Sequence, residues 1–209
     1  MRTIVKRRRR FAIGPGDNGI RMTPAEFDAI DDYNDLYRYE LINGVLIVNA
    51  APSRFERDPN EEMGRWIRNY QEQHPGIVQK TLAEEYVHVE NGRRRADRAI
   101  WAGYGPEFNL DADLPTIVVE FVSRRRRDCL RDYVDKRDEY LALGIREYWV
   151  IDRFQETMSV FRPSSLGFEE QIVSRDQTYA TSLLPGFELP LGKLLAVCDD
   201  WKQPSEHRE

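Results

Sequence analysis

Lysine is scarce in this chain of 209 residues: it occurs only at Lys6, Lys80, Lys136, Lys193 and Lys202, against 26 arginines. Cysteine is scarcer still. Cys129 and Cys198 alone make neither a disulfide framework nor a zinc site, and a reducing, cytoplasmic setting is the simplest reading. The three histidines, His74, His88 and His207, have no metal-ligand spacing and read as structural or solvated. No apolar run approaches the roughly 18 residues of a membrane span, and the basic N-terminus lacks the apolar core of a secretory signal. A nucleophile elbow, a Gly-rich phosphate loop and a Cys–His arrangement are all missing, and Gly14-Pro15-Gly16 is a turn.

What is there is charge of both signs. The chain carries 31 basic and 36 acidic residues, a net charge of −5, and 32% charged residues in all. The near balance argues against wholesale disorder. The positive charge is concentrated in three arginine runs, Arg7–Arg10, Arg93–Arg95 and Arg124–Arg127. Length suits a single domain, expected over 21–198 between a basic tail at 1–20 and a polar tail at 199–209.

Thr23-Pro24-Ala25-Glu26 is a capping box with proline at the first helical position, predicting a short helix to about Ile30. Asn43-Gly44 between Tyr39–Ile42 and Val45–Val48 predicts a hairpin. Asp58-Pro59-Asn60-Glu61 reads as the next helix start, with Met63, Trp66, Ile67 and Tyr70 on one buried face and Pro75-Gly76 as its end. A second Asn-Gly, Asn91-Gly92, joins strands near Tyr86–Val89 and Ala96–Trp101. Ile117–Val122 is almost continuously apolar, as in a strand buried on both faces. A helix from Asp128 to about Leu143, closed by Gly144, precedes strands at Glu147–Asp152, Thr157–Phe161 and about Gly167–Ile172. Leu191–Val197 reads as a last short helix. The pattern is a mixed α/β sheet.

Glu120 lies inside the apolar strand, where a carboxylate costs several kcal/mol unless it is paired, protonated or bound to metal. A structural arginine pair and a metal ligand weigh about evenly. Asp97 alternates along its strand as a second acid near the core; alone, a solvated or arginine-paired residue is the better reading. Glu40, between Tyr39 and Leu41, carries little weight by itself. Lys136 borders the apolar stripe of Leu130, Tyr133, Val134, Tyr140 and Leu141 and can reach the sheet. Its bland reading is a surface pair with Asp132, worth about 0.3–0.5 kcal/mol. Lysine, unlike arginine, serves readily in proton transfer.

Taken together, Thr23-Pro24-Ala25-Glu26-Phe27, Tyr39-Glu40-Leu41-Ile42-Asn43-Gly44, Val119-Glu120-Phe121-Val122-Ser123, Asp135-Lys136-Arg137 with Tyr140, Glu147-Tyr148-Trp149-Val150-Ile151-Asp152 and Leu184-Pro185-Gly186-Phe187 form an ordered series. That series, from about Met22 to Leu195, resembles the Uma-two family of restriction endonucleases in the PD-(D/E)XK nuclease superfamily. The resemblance implies a restriction endonuclease-like mixed α+β fold, a mixed sheet flanked by helices. It implies that Asp97 and Glu120 are the motif acids, that Glu40 joins them at the metal, and that Lys136 is the catalytic lysine supplied from a helix. Here Ala96 stands where the family has proline, Val122 occupies the lysine position of the (D/E)XK triplet, and the frequent Ser-Pro-x-His segment is replaced by Pro52-Ser53-Arg54-Phe55.

The implied activity is Mg²⁺- or Mn²⁺-dependent endonucleolytic hydrolysis of DNA, with carboxylates as hard ligands and a lysine near the attacking water. Arg93, Arg94 and Arg95, and Arg124, Arg125, Arg126 and Arg127, flank the acids in sequence and are the candidate backbone contacts; their bland reading is pairing with surplus acids. The alternative is a nuclease fold without catalysis, a nucleic-acid-binding or interaction module. The expected partners are DNA and, for a homodimer, a second copy, with no membrane.

Overall fold

Asn43 and Gly44 turn the chain at φ 49° and 73°, the paired positive values that a tight hairpin needs and that Asn-Gly tolerates best. The structure, a computed structural model, describes residues 12–123 and 131–199. Expectations for Arg7–Arg10, Arg124–Arg127 and the helix start at Asp128 lie outside the described residues. The described residues form two compact units, 12–51 with 88–95, and 52–87 with 96–123 and 131–199.

In the first unit, strands β1 (Ala12–Ile13) and β2 (Asp32–Tyr33) pair in parallel, and β3 (Tyr37–Ile42) and β4 (Val45–Ala50) form the hairpin. Residues 12–20, read from sequence as tail, carry β1 and a 3₁₀ turn at Pro15–Asp17. Helix α1 (Pro24–Asp28) starts on the Thr23 box: Thr23 Oγ1 accepts from Glu26 N at 3.2 Å and the Glu26 carboxylate accepts from Thr23 N at 2.7 Å.

The second unit opens with α2 (Arg54–Gln73), which begins ahead of the expected Asp58-Pro59 start. The box that starts it is Ser53-x-x-Glu56, whose carboxylate accepts from Ser53 N at 2.7 Å. Pro59 therefore lies inside the helix, and its missing amide leaves the Phe55 carbonyl without its i+4 donor. Cys198 supplies one: its Sγ lies 3.4 Å from Phe55 O.

Strands β5 (Val78–Val89) and β6 (Gly92–Ala102) pair around Asn91-Gly92, and each runs through both units. Strand β7 (Ile117–Phe121) pairs antiparallel with β6 and parallel with β8 (Glu147–Asp152). A π-helical turn (Arg131–Lys136) running into α3 (Arg137–Leu143) precedes β8, and Gly144 ends the helix at φ 104°. Strands β9 (Thr157–Ser164) and β10 (Gly167–Ser174) complete the order β10-β9-β8-β7-β6. Strands β11 (Thr178–Ala180) and β12 (Glu188–Pro190) make a small sheet before α4 (Leu191–Ala196). The result is a mixed, mostly antiparallel sheet flanked by helices. No helix among the described residues is long and apolar enough to cross a membrane.

One face of β7 and β8 (Ile117, Val119, Phe121, Trp149, Ile151) packs with Met63 and Ile67 of α2 and Leu191 and Leu194 of α4. Strand alternation sends Val118, Glu120 and Tyr148 to the other face, where the Tyr140 ring of α3 meets Tyr148 edge-on at 5.2 Å. Burial on both faces is why β7 is continuously apolar.

Arg98 of β6 is buried on the α2 side. Its guanidinium donates to Asn60 Oδ1 (2.8 Å), Asn60 O (2.8 Å) and Thr81 Oγ1 (3.0 Å), and burial pushes its pKa down to about 10, still charged at neutral pH. Gly64 makes room for it: a Cβ there would lie 2.7 Å from Arg98 Cζ. Because three hydrogen bonds fix the guanidinium, Gly64→Ala is expected to cost about 1–3 kcal/mol, read as a lower urea midpoint; an unchanged midpoint would show that the guanidinium yields.

Candidate active site

Asp97 and Glu120 lie on adjacent antiparallel strands. Arg98 is opposite Val119, so one step along the same register sets Asp97 opposite Glu120. Both are buried, at 4% and 3% exposure. Asp97 Oδ2 accepts from Phe121 N at 2.7 Å and its carbonyl accepts from Asn60 Nδ2 at 2.7 Å. The carboxyl is thus aimed by backbone and by α2 together.

Lys136 comes to Glu120 from the helical side. Its Nζ donates to Glu120 Oε1 at 2.7 Å and lies 3.8 Å from Asp132 Oδ1. All three side chains are buried, so the Asp132–Lys136 pair is interior, not the surface pair that i,i+4 spacing implied. Lys136 is the last residue of the π-helical turn, a distortion that recurs at functional sites because it re-aims side chains. Tyr148 of β8 closes the floor, its hydroxyl donating to Asp132 O at 2.9 Å. Burial, with Glu120 and Asp132 nearby, holds the Tyr148 phenol well above its ordinary value, so it stays a neutral donor.

The electrostatics centre on Glu120. Burial raises its carboxyl well above 4.5; Lys136 opposes that shift, while the charges of Asp97 and Asp132 add to it. Two acids facing one another across a strand pair need a cation between or beside them. Among the described residues no three His, Cys, Asp or Glu side chains gather as a metal cluster. Two adjacent carboxylates nevertheless suit Mg²⁺, which takes one or two carboxylates and completes its shell with water and phosphate oxygens.

The remaining candidates are placed differently. Glu40 belongs to the first unit, buried, where its carboxylate accepts from Arg95 N (3.1 Å) and Asn49 Nδ2 (3.3 Å). Arg93 is held bidentately by Asp28, at 2.8 and 2.6 Å. Arg94 is buried at 1% exposure. The expected basic rim at Arg93–Arg95 is therefore corrected at two of its three positions: Arg93 pairs with an acid and Arg94 points inward. Arg124–Arg127 lie outside the described residues. Asp132 and Tyr148 were not singled out by sequence; spacing alone does not reveal burial.

The mixed, mostly antiparallel sheet flanked by helices is a nuclease-like fold. The Uma2 family, described as "Putative restriction endonuclease", matches residues 24–192, and the chain belongs to that family. A solved structure from Anabaena variabilis, described as a "putative nuclease belonging to DUF820", has a TM-score of 0.67 at 16% identity, over 84% of this chain and 98% of that one; the likeness at that identity is one of fold. Comparison with curated proteins returns no match.

Proposed function

We propose that the protein is a Mg²⁺-dependent endonuclease that hydrolyses phosphodiester bonds of DNA at Asp97, Glu120 and Lys136. The observation that carries the reading is the buried Lys136 Nζ–Glu120 Oε1 contact of 2.7 Å beside a second buried acid. A family of nucleases and a nuclease-like fold support it.

Asp97 and Glu120 would hold the metal, which when bound supplies charge neutralisation on the phosphate and a more acidic water. Asp97 is kept in place by the Phe121 amide, so its ligand oxygen is positioned before substrate arrives. Lys136 hydrogen-bonds Glu120 Oε1 and carries positive charge to the place where negative charge grows on the phosphoryl oxygens. The surrounding burial strengthens these interactions.

The test is nicking of supercoiled plasmid by purified protein. Cleavage is expected with Mg²⁺ or Mn²⁺ and none in excess EDTA. Cleavage undiminished by EDTA would sink the metal requirement, and DNA binding without cleavage in any divalent ion would favour the non-catalytic module.

A further inference from the structure

Strand β8 ends at Asp152, and the next two residues meet the first turn of α2. The Arg153 guanidinium carbon lies 4.2 Å from the Phe154 ring centroid and 4.3 Å from that of Phe55. Arg54 approaches Phe55 at 5.8 Å. Arg153 Nε is buried without a hydrogen-bond partner, and no carboxylate among the described residues pairs with this side chain. Two rings therefore hold a guanidinium that pairs with no acid among the described residues. Phe154 nevertheless leaves 47% of its surface in water.

The ring is not on a loose loop. Asp152 Oδ1 accepts from Phe154 N at 2.8 Å and Gln155 N at 3.0 Å, and its Oδ2 accepts from Gln155 Nε2 at 2.9 Å. An Asx turn of this kind fixes the backbone, so ordering the ring on a ligand costs little further entropy. Its place in the sheet is also defined. Val150 stands opposite Glu120, and Asp152 ends the strand two residues later, roughly 7 Å further along it. Phe55, against which Arg153 packs on the α2 side, precedes by five residues the Asn60 that donates to the Asp97 carbonyl, so the platform lies at the same end of the sheet as the acid pair.

We infer that Phe154, backed by Arg153, is a stacking platform for an unpaired nucleobase of the strand bound at the acid pair. Every base offers a π-face to such a ring, whereas a closed duplex hides its own in the stack. The positive charge of Arg153 beside it suits the phosphate chain that accompanies the base. The protein then engages single-stranded or frayed nucleic acid better than closed duplex. The location of this platform on a substrate path rests on the nuclease reading; the platform itself can be tested without catalysis.

The experiment is fluorescence anisotropy in EDTA with a labelled single-stranded oligonucleotide and with the same sequence closed as a hairpin duplex. Phe154→Ala is expected to weaken single-strand binding about tenfold, the loss of one base stack, and to leave duplex binding unchanged. Phe154→Trp should restore it. Leu166→Ala, at an exposed apolar position at the far end of the β9–β10 hairpin, should alter neither. Absence of single-strand binding, or equal losses on both oligonucleotides, overturns the platform. The plasmid assay separates the two readings: a protein that binds single strands through Phe154 and never cuts loses the nuclease reading alone, and one that cuts while Phe154→Ala binds as before loses the platform alone.

Discussion

Lys136→Met is expected to abolish DNA cleavage and to destabilise the fold by about 3–5 kcal/mol, the cost of leaving one member of a buried ion pair alone. The two losses have one cause. Glu120 is buried, its nearest cation is Lys136 Nζ at 2.7 Å, and methionine fills the space without the charge. Glu120→Gln in the same background removes the unpaired carboxylate, so the double variant should recover most of the stability and none of the activity, which falls by at least about a hundredfold. Stability without activity distinguishes a chemical role from a merely structural one; a double variant that cuts DNA would end the assignment.

The pH dependence of the single variant follows with a definite sign. Burial raises the Glu120 carboxyl above 4.5 in the folded protein. A raised folded value means that stability is fully present below the unfolded value and is lost as pH rises through the folded one. Lys136→Met should therefore be closer to wild type in urea midpoint at pH 5 than at pH 8. Mg²⁺ at a hundred times its Kd should return about 2.7 kcal/mol at pH 8 if Asp97 and Glu120 hold it; a midpoint indifferent to Mg²⁺ would count against those two ligands.

Glu147→Ala should be the most damaging change away from that centre, at about 3–5 kcal/mol. The buried Glu147 carboxylate accepts four hydrogen bonds: Arg162 Nε (2.8 Å) and Thr181 Oγ1 (2.9 Å) on one oxygen, Trp149 Nε1 (2.8 Å) and Tyr179 Oη (2.9 Å) on the other. Arg162 also donates to Tyr179 Oη at 2.6 Å, which leaves the phenol hydrogen for Glu147. Burial, and the neighbouring carboxylate, push Tyr179 upward, so it remains a donor throughout the usual pH range. Removal of the acid takes the shared acceptor from Trp149, Tyr179 and Thr181 in the interior and from the part-exposed Arg162, which keeps its bonds to Gln171 and Tyr179. Glutamine should restore little, since its amide group turns two hydrogens toward other donors. Equilibrium unfolding in urea measures both; a Glu147→Ala deficit under about 1 kcal/mol would mean that water or a side-chain shift replaces the carboxylate.

Much of this arrangement is legible in the sequence, and the exceptions have physical reasons. Asn43-Gly44 marks its turn because few other pairs tolerate positive φ at both positions; Asn91-Gly92 marks one without positive φ, and there the glycine is required because a Cβ would clash with Leu41 O. Ile117–Val122 declares a doubly buried strand, and Glu120 is conspicuous against it. The start of α2 is misread because Pro59 imitates a first-turn proline while Ser53 and Glu56 supply the actual box. Lys136 can be picked out as a lysine at the edge of an apolar stripe, but Asp132 cannot: spacing of four is the same on a wet surface and in the interior, and a π-helical turn leaves no periodic trace. Arg93–Arg95 misleads for a simpler reason. Consecutive residues of a strand face alternate sides, so a run of three cannot present one charged surface, and Arg94 is the one turned inward.

The thiol of Cys198 beside the Phe55 carbonyl links two positions far apart in the chain. Pro59 creates an acceptor without a donor, and Cys198 answers it, so neither residue has its full meaning alone. In genetic terms the pair is epistatic: an amide-bearing residue at 59 returns the helical donor and makes the thiol dispensable, whereas loss of the thiol bears its whole cost while the proline remains. A cysteine that looks like an ordinary buried apolar residue is thereby tied to the history of a proline more than a hundred residues away.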